Sequence, residues 1–145
     1  MTESIEARLT RLEDLMAIHQ LFVDYGEHLD SGNFEAYSQL FADDGEVLLG
    51  PYGRAKGRSE IKALMDAQLA ADVGKTFHVV GNPRVTITGD TATSTVMWSV
   101  AQMANDGLAR VSMVGHHIDQ LTRTAEGWRF QRRKGIVNLP AAVPR

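Results

Sequence analysis

TATSTVMWSVAQMANDGLARVSMVGHHIDQLTRT, residues 91–124, decides the fold. Two alternating runs, 91–103 and 108–124, flank Asn105-Asp-Gly107, and an Asp-Gly pair between such runs is a strong hairpin signal. Alternation puts Val96, Trp98 and Val100 on one face of the first run, against Met97, Ala101 and Met103. In the second run Val111, Met113, Gly115, His117, Asp119 and Leu121 stand opposite Ser112, Val114, His116, Ile118 and Gln120. Both faces are substantially apolar, so this hairpin belongs to a sheet that is covered on both sides.

Moving outward, residues 76–88 form another strand interrupted by Asn82-Pro83 and closed by Gly89-Asp90, and residues 128–137 form a last one after Ala125-Glu-Gly127. Before this meander the apolar period is helical. Ile5, Leu9, Leu12, Met16, Leu21, Phe22, Tyr25 and Leu29 mark one long or kinked amphipathic helix, with Thr10 and Glu13 spaced as a capping box partway along. Gly32 is placed for a left-handed stop, and Asn33 caps a second helix carrying Phe34, Tyr37, Leu40 and Phe41. Ala42-Asp-Asp-Gly45 reads as a turn and 46–49 as a short strand. A Gly-rich connection then leads to a third helix, capped by Ser59 and apolar at Ile61, Leu64, Met65 and Leu69. Helices first and an antiparallel meander last predict an α+β domain over 1–139, with helices against one face of a strongly curved sheet and a loose tail over 140–145. Three helices cover one face only, so the other is expected to meet a second copy in a homodimer or homotrimer.

The chain has 145 residues, 43% of them hydrophobic and 23% charged, which suits a single domain with a real core. It has no cysteine, which excludes disulfides, thiolate nucleophiles and cysteine-held metal clusters. A net charge of -3 offers no whole-domain attraction to nucleic acid or to an anionic membrane, and no run is long and apolar enough for a signal peptide or a membrane span. A cytoplasmic protein binding a hydrophobic small molecule is expected.

Proton transfer near neutral pH falls to the histidines, at 19, 28, 78, 116 and 117. Asp30 sits at a helix end, where a carboxylate is ordinarily a turn residue, and Tyr25 lies five residues earlier, only loosely on the same face. His78 and Val80 share one face of their strand, opposite Phe77 and Val79. If the helix end closes over that face, Asp30 can hold His78 as a general base. Asp30, His78 and His117 are scattered over three elements and give only a weak metal signal, so no metal or cofactor is expected. In Gln131-Arg-Arg-Lys134 strand parity groups Arg133 with Arg129 and Gln131, away from Trp128 and Phe130, unless a bulge intervenes.

Several short motifs keep a common order: Tyr25-x4-Asp30-Ser-Gly-Asn-Phe-Glu, Leu40-Phe-Ala-Asp-Asp, Gly57-Arg-Ser-x-Ile61, His78-x3-Gly-Asn-Pro83, Gly115-His-His-Ile-Asp119 and Gly127-Trp-Arg-Phe130. On these the chain resembles the SnoaL-like branch of the nuclear-transport-factor-2-like superfamily over nearly its whole length. The resemblance implies a cone-shaped α+β barrel around a pocket. It extends to three cofactor-free elimination enzymes of that superfamily, scytalone dehydratase, bile-acid 7α-dehydratase and hexachlorocyclohexane dehydrochlorinase. By it, Asp30 and His78 fall on a catalytic dyad, Tyr25 on a functional tyrosine of the bile-acid enzyme, and Arg133 on an arginine that assists a leaving group. Leu29 and Leu49 depart from the pattern, standing where scytalone dehydratase has two water-activating tyrosines, while Gln102 falls near a catalytic His or Asp and His117 replaces a pocket Asn. The expectation is therefore a lyase or isomerase of the dehydratase type with Asp30, His78, Tyr25 and Arg133 catalytic and His117, Gln102 and Trp98 binding substrate. Two alternatives within the superfamily, a non-catalytic ligand-binding or accessory subunit like a dioxygenase β subunit and a polyketide cyclase, remain open at this point.

Overall fold

The structure is a computed structural model and describes residues 2–140. Helix α1 (Ile5–Ser31) begins at Ser4, whose hydroxyl accepts the Ala7 N–H, and ends at Gly32, whose φ of 73° lets Gly32 and Asn33 N–H groups bond the Leu29 and His28 carbonyls. Thr10 and Glu13 lie inside this unbroken helix, so the capping box expected there is not used. Asn33 caps α2 (Phe34–Gln39) through the Ala36 N–H, as its sequence predicts. Phe41 was expected in that helix but opens strand β1 (Phe41–Leu48) instead, since its backbone is drawn into the sheet beside Phe130. The connection expected to be irregular contains a short strand, β2 (Arg54–Lys56), and α3 (Arg58–Leu69) starts at Gly57 with no side-chain cap, one residue before Ser59.

Strands β3 (Thr76–Thr88), β4 (Thr91–Met103), β5 (Ala109–Thr124) and β6 (Gly127–Leu139) form the meander. The sheet order is β2-β1-β6-β5-β4-β3, antiparallel except for the β1–β6 pair. It curls around the helices but stays open, with β2 and β3 as edges, so the barrel implied by the resemblance is not closed.

Three irregularities aim the side chains. Asn82-Pro83 makes a bulge in β3 rather than a turn, tolerated because β3 is an edge strand where the missing proline N–H costs no ladder bond. Pairing slips by one residue at Ser112, so Val111 faces outward and is exposed, against the strict alternation expected for it. Gln131 is the extra residue where Leu121 pairs with Phe130 but Gln120 with Arg132, and this bulge turns Arg133 onto the inner face with Trp128 and Phe130.

The core lies between α1 and the concave face, where Ile18, Leu21, Phe22, Tyr25 and Leu29 meet Val96, Leu121, Trp128 and Phe130. Asp14 is buried there because the guanidinium of Arg123 donates to both its oxygens (2.7 and 2.8 Å) and Trp128 Nε1–H donates to one (2.9 Å). The same contacts hold its carboxyl below the usual carboxylate range, with the Arg123 bond as the main cause. The N-terminal half of α1 differs from expectation: Ile5, Leu9, Leu12 and Met16 are 54–75% exposed, since residues 5–13 are all exposed and Met16 faces solvent between buried Asp14 and Ile18. The convex sheet face is likewise bare at Phe77, Val79, Met97 and Met103. The tail expected over 140–145 lies outside the described residues except for Pro140.

Gly115 is the tightest point of the concave face. A Cβ there would stand 2.0 Å from the Ile136 carbonyl oxygen and 2.5 Å from the Trp98 ring. Because the nearer clash is with backbone, Gly115→Ala is expected to cost about 3 kcal/mol, toward the upper end of overpacking penalties, in a urea denaturation experiment. A variant as stable as wild type contradicts this packing.

Candidate active site

The last turn of α1 crosses the start of β3, and Asp30 joins them. Its Oδ2 and Oδ1 accept the backbone N–H of His78 at 2.9 and 3.1 Å, and Oδ1 lies 2.6 Å from His78 Nδ1. The side chains are 17% and 18% exposed, so the pair is sheltered yet reachable. An ionised carboxylate can only accept, so in the neutral ring this contact assigns the proton to Nδ1 and the lone pair to Nε2. The His78 ring is thus held by its partner, with Phe77 and Val79 on the opposite, exposed face as alternation predicts.

His78 borders a cavity of about 140 Å³ between α1, α3 and the sheet. Leu29, Leu49, Met65, Leu69, Trp98, Val100, Met113 and Val137 give it apolar walls. A cavity of this size encloses about one six-membered ring. Its rim at Tyr52, Gln68 and Asp72 is accessible to solvent. Of the residues singled out in the sequence, Tyr25, His78, Trp98, Gln102 and His117 all line this one space. Asp30 stands behind His78.

Arg133 is brought inward but not to the cavity. It is completely buried, its Nε is 3.1 Å from Asp119 Oδ1, and its guanidinium lies over the rings of Tyr25 at 4.1 Å and Phe130 at 4.3 Å. Arg133, expected to assist a leaving group, is thus not among the residues that line the cavity, and its guanidinium packs on Tyr25, which is. Asp119 Oδ2 accepts the Ser94 hydroxyl at 2.8 Å, and burial pushes its carboxyl up against the pull of the Arg133 cation.

Tyr25 receives a hydrogen bond from the Tyr37 hydroxyl at 2.9 Å. Burial raises the pKa of Tyr25, the Arg133 cation and the Tyr37 bond opposing it, and burial raises Tyr37 further still. Tyr37 carried no functional signal in the sequence, where it reads as a core position of a short helix. His117 packs edge-on to Tyr25 at 5.1 Å, and its Nδ1 has no partner, like Trp98 Nε1. Burial first, then the Arg133 cation, pushes the His117 imidazole well below its ordinary value, so it is neutral. Among the described residues no three His, Asp or Glu side chains gather as a metal ligand set, and no helix is long and apolar enough to cross a membrane.

A curled sheet wrapped by three helices around a pocket of this kind defines an NTF2-like, cystatin-like fold. The chain belongs to the SnoaL-like domain family, which matches residues 10–134. An NTF2-like protein with a cystatin-like fold from Novosphingobium aromaticivorans is 34% identical, with a TM-score of 0.89 over 98% of this chain and 95% of that one. An uncharacterized protein of Mycobacterium tuberculosis is 29% identical over 127 residues, 86% of each chain. LinA shares the fold at 19% identity, with a TM-score of 0.81 over 95% of this chain and 99% of its own.

The neutral, buried His117 makes stability pH-dependent. Its folded pKa lies below that of the unfolded chain, so below about pH 6.5 the unfolded state binds the extra proton and folding weakens as pH falls. The expected slope from this group is at most about 1.4 kcal/mol per pH unit. Urea denaturation between pH 7 and 5 should show a shallower decline for His117→Gln than for wild type. Parallel profiles contradict the assignment.

Proposed function

We propose that this chain is a cofactor-independent lyase or isomerase in which His78 Nε2 removes a proton from carbon in a hydrophobic cyclic small molecule. The observation that carries the reading is Asp30, whose one carboxylate binds both the backbone and the ring of His78, the ring bordering a largely apolar cavity. Imidazole is a weak base, so the carbon it attacks must be acidified by a neighbouring carbonyl or similar group. His117, Gln102 and Trp98 are the polar groups placed to receive that oxygen, and a neutral His117 can donate to it without adding charge. The apolar walls at Leu29 and Leu49 remove the tyrosine-held water of the scytalone reaction and favour a different substrate.

In a panel of hydroxylated cyclic and polycyclic ketones, His78→Ala is expected to lower turnover by about 10²–10⁴-fold, the usual worth of a general base. Asp30→Asn is expected to lower it as well, through a misdirected ring. Both should fold, as judged by circular dichroism. A second reading, a ligand-binding or accessory subunit, is favoured by the Asp30 bond to the His78 backbone, which latches helix to strand without any chemistry. Ligand binding without conversion by wild type across the panel would support that reading and sink the first.

The bare convex face and the exposed stripe Ile5, Leu9, Leu12 and Met16 support a homo-oligomer, dimer or trimer, in which a second copy covers them. Light scattering at micromolar concentration should give two or three times the 16.0 kDa chain mass. A stable single-chain species contradicts this.

A further inference from the structure

Arg133 has more unpartnered buried side-chain nitrogens than any other of the described residues. All three nitrogens of Arg133 lack a well-formed hydrogen bond, although the side chain has no exposure at all. A buried guanidinium stays charged and ordinarily fills its donors with carboxylate oxygens or water. Here Asp119 lies 3.1 Å away without aligning to accept, and the cation's remaining neighbours are the faces of Tyr25, Phe130 and Phe22. This cation has Asp119 as its one charged partner and is pressed against Tyr25, a ring that lines the cavity and can lose a proton.

We propose that Tyr25 is the general acid of the site, with Arg133 and Tyr37 as positioning residues that stabilise its phenolate, and that the group it protonates is an oxygen leaving group of the substrate. This deepens the lyase reading above and rests on it. Arg133 lies over the ring face and Tyr37 donates to the phenol oxygen, so both interactions strengthen as negative charge develops on Tyr25 and are weaker at rest. That is the differential stabilisation catalysis requires. Burial keeps the proton on Tyr25 in the resting protein, so the acid is loaded, and holds the Tyr37 proton more firmly still, so Tyr37 stays a donor.

The step balances as follows. His78 Nε2 takes the proton from the carbon, the C–H pair becomes the new C=C bond, and the C–O bond breaks with its pair on oxygen. That oxygen takes the Tyr25 proton and leaves as water or an alcohol. The proton on His78 returns through solvent to the Tyr25 phenolate, restoring both groups.

The test compares two forms of one cyclic ketone, carrying either a hydroxyl or a chloride β to the carbonyl. Hydroxide cannot leave without a proton, whereas chloride can. Tyr25→Phe is expected to slow loss of the hydroxyl by about 10²-fold or more while slowing loss of chloride less than tenfold. Tyr37→Phe, which keeps the ring, should bias the two rates in the same direction by a smaller factor. Equal losses on the two ketones mean that the tyrosines serve structure only and overturn the proposal, as does wild-type hydroxyl loss by Tyr25→Phe. Deuterium exchange from heavy water into the carbon α to the carbonyl separates the two claims. Exchange that requires His78 but is never followed by loss of hydroxyl leaves the base standing and overturns the acid. Absence of both exchange and elimination in wild type overturns the base itself.

Discussion

The Asp30 carboxylate ties the end of a helix to the edge of a sheet, and the cavity depends on that tie. Asp30 sits in the last turn of α1, where the backbone carbonyls already carry negative partial charge and a carboxylate is disfavoured by about 0.3–1 kcal/mol. Its position is sustained because it meets the backbone N–H of His78 with both oxygens and the ring with one. The consequence for shape is that α1 closes over β3 and the cup acquires a floor. The consequence for chemistry is that the carboxylate that holds the helix also holds the His78 ring through Nδ1.

A second constraint lies one layer deeper. The bulge at Gln131 carries Arg133 from the solvent side of β6 into the core, where it fixes the Tyr25 ring from behind while Tyr37 holds the hydroxyl. Burying the Arg133–Asp119 ion pair costs several kcal/mol in desolvation, and packed hydrocarbon at such a place is often as stable or more so. The polar layer of Arg133, Asp119, Tyr25, Tyr37 and His117 therefore acts as a preorganised electrostatic backing for the cavity wall in the mechanism proposed above.

Much of this was legible in the sequence, for identifiable reasons. The four meander strands follow from a prevailing period of two punctuated by Asn-Asp-Gly and Glu-Gly turns, and Gly32-Asn33 marks the junction between the first helices because one residue supplies a left-handed cap and the other an N-cap. Asp30 and His78 were paired through a resemblance and through strand parity, since residues 48 apart in sequence leave no local signature of contact. What escaped depends on irregularity or on depth. Val111 lands outside and Arg133 inside because single bulged residues, at Ser112 and Gln131, reverse the parity of everything beyond them. Asp14 and Tyr37 look like ordinary positions of amphipathic helices, and only their partners, Arg123 with Trp128 and Tyr25, set them apart. The stripe from Ile5 to Met16 was legible as apolar, but not that it runs past the edge of its own domain.

The central claim is that Asp30 fixes His78 with its proton on Nδ1 and its lone pair facing the cavity. Nitrogen-15 NMR of ring-labelled histidine in the ligand-free protein, at a pH where the imidazole is neutral, reads this directly. The account predicts a protonated Nδ1 and a bare Nε2 for His78 in wild type, with that preference weakened or lost in Asp30→Asn. A wild-type ring protonated on Nε2 instead would contradict it, because the nitrogen facing the cavity would then have no lone pair with which to take a proton from carbon.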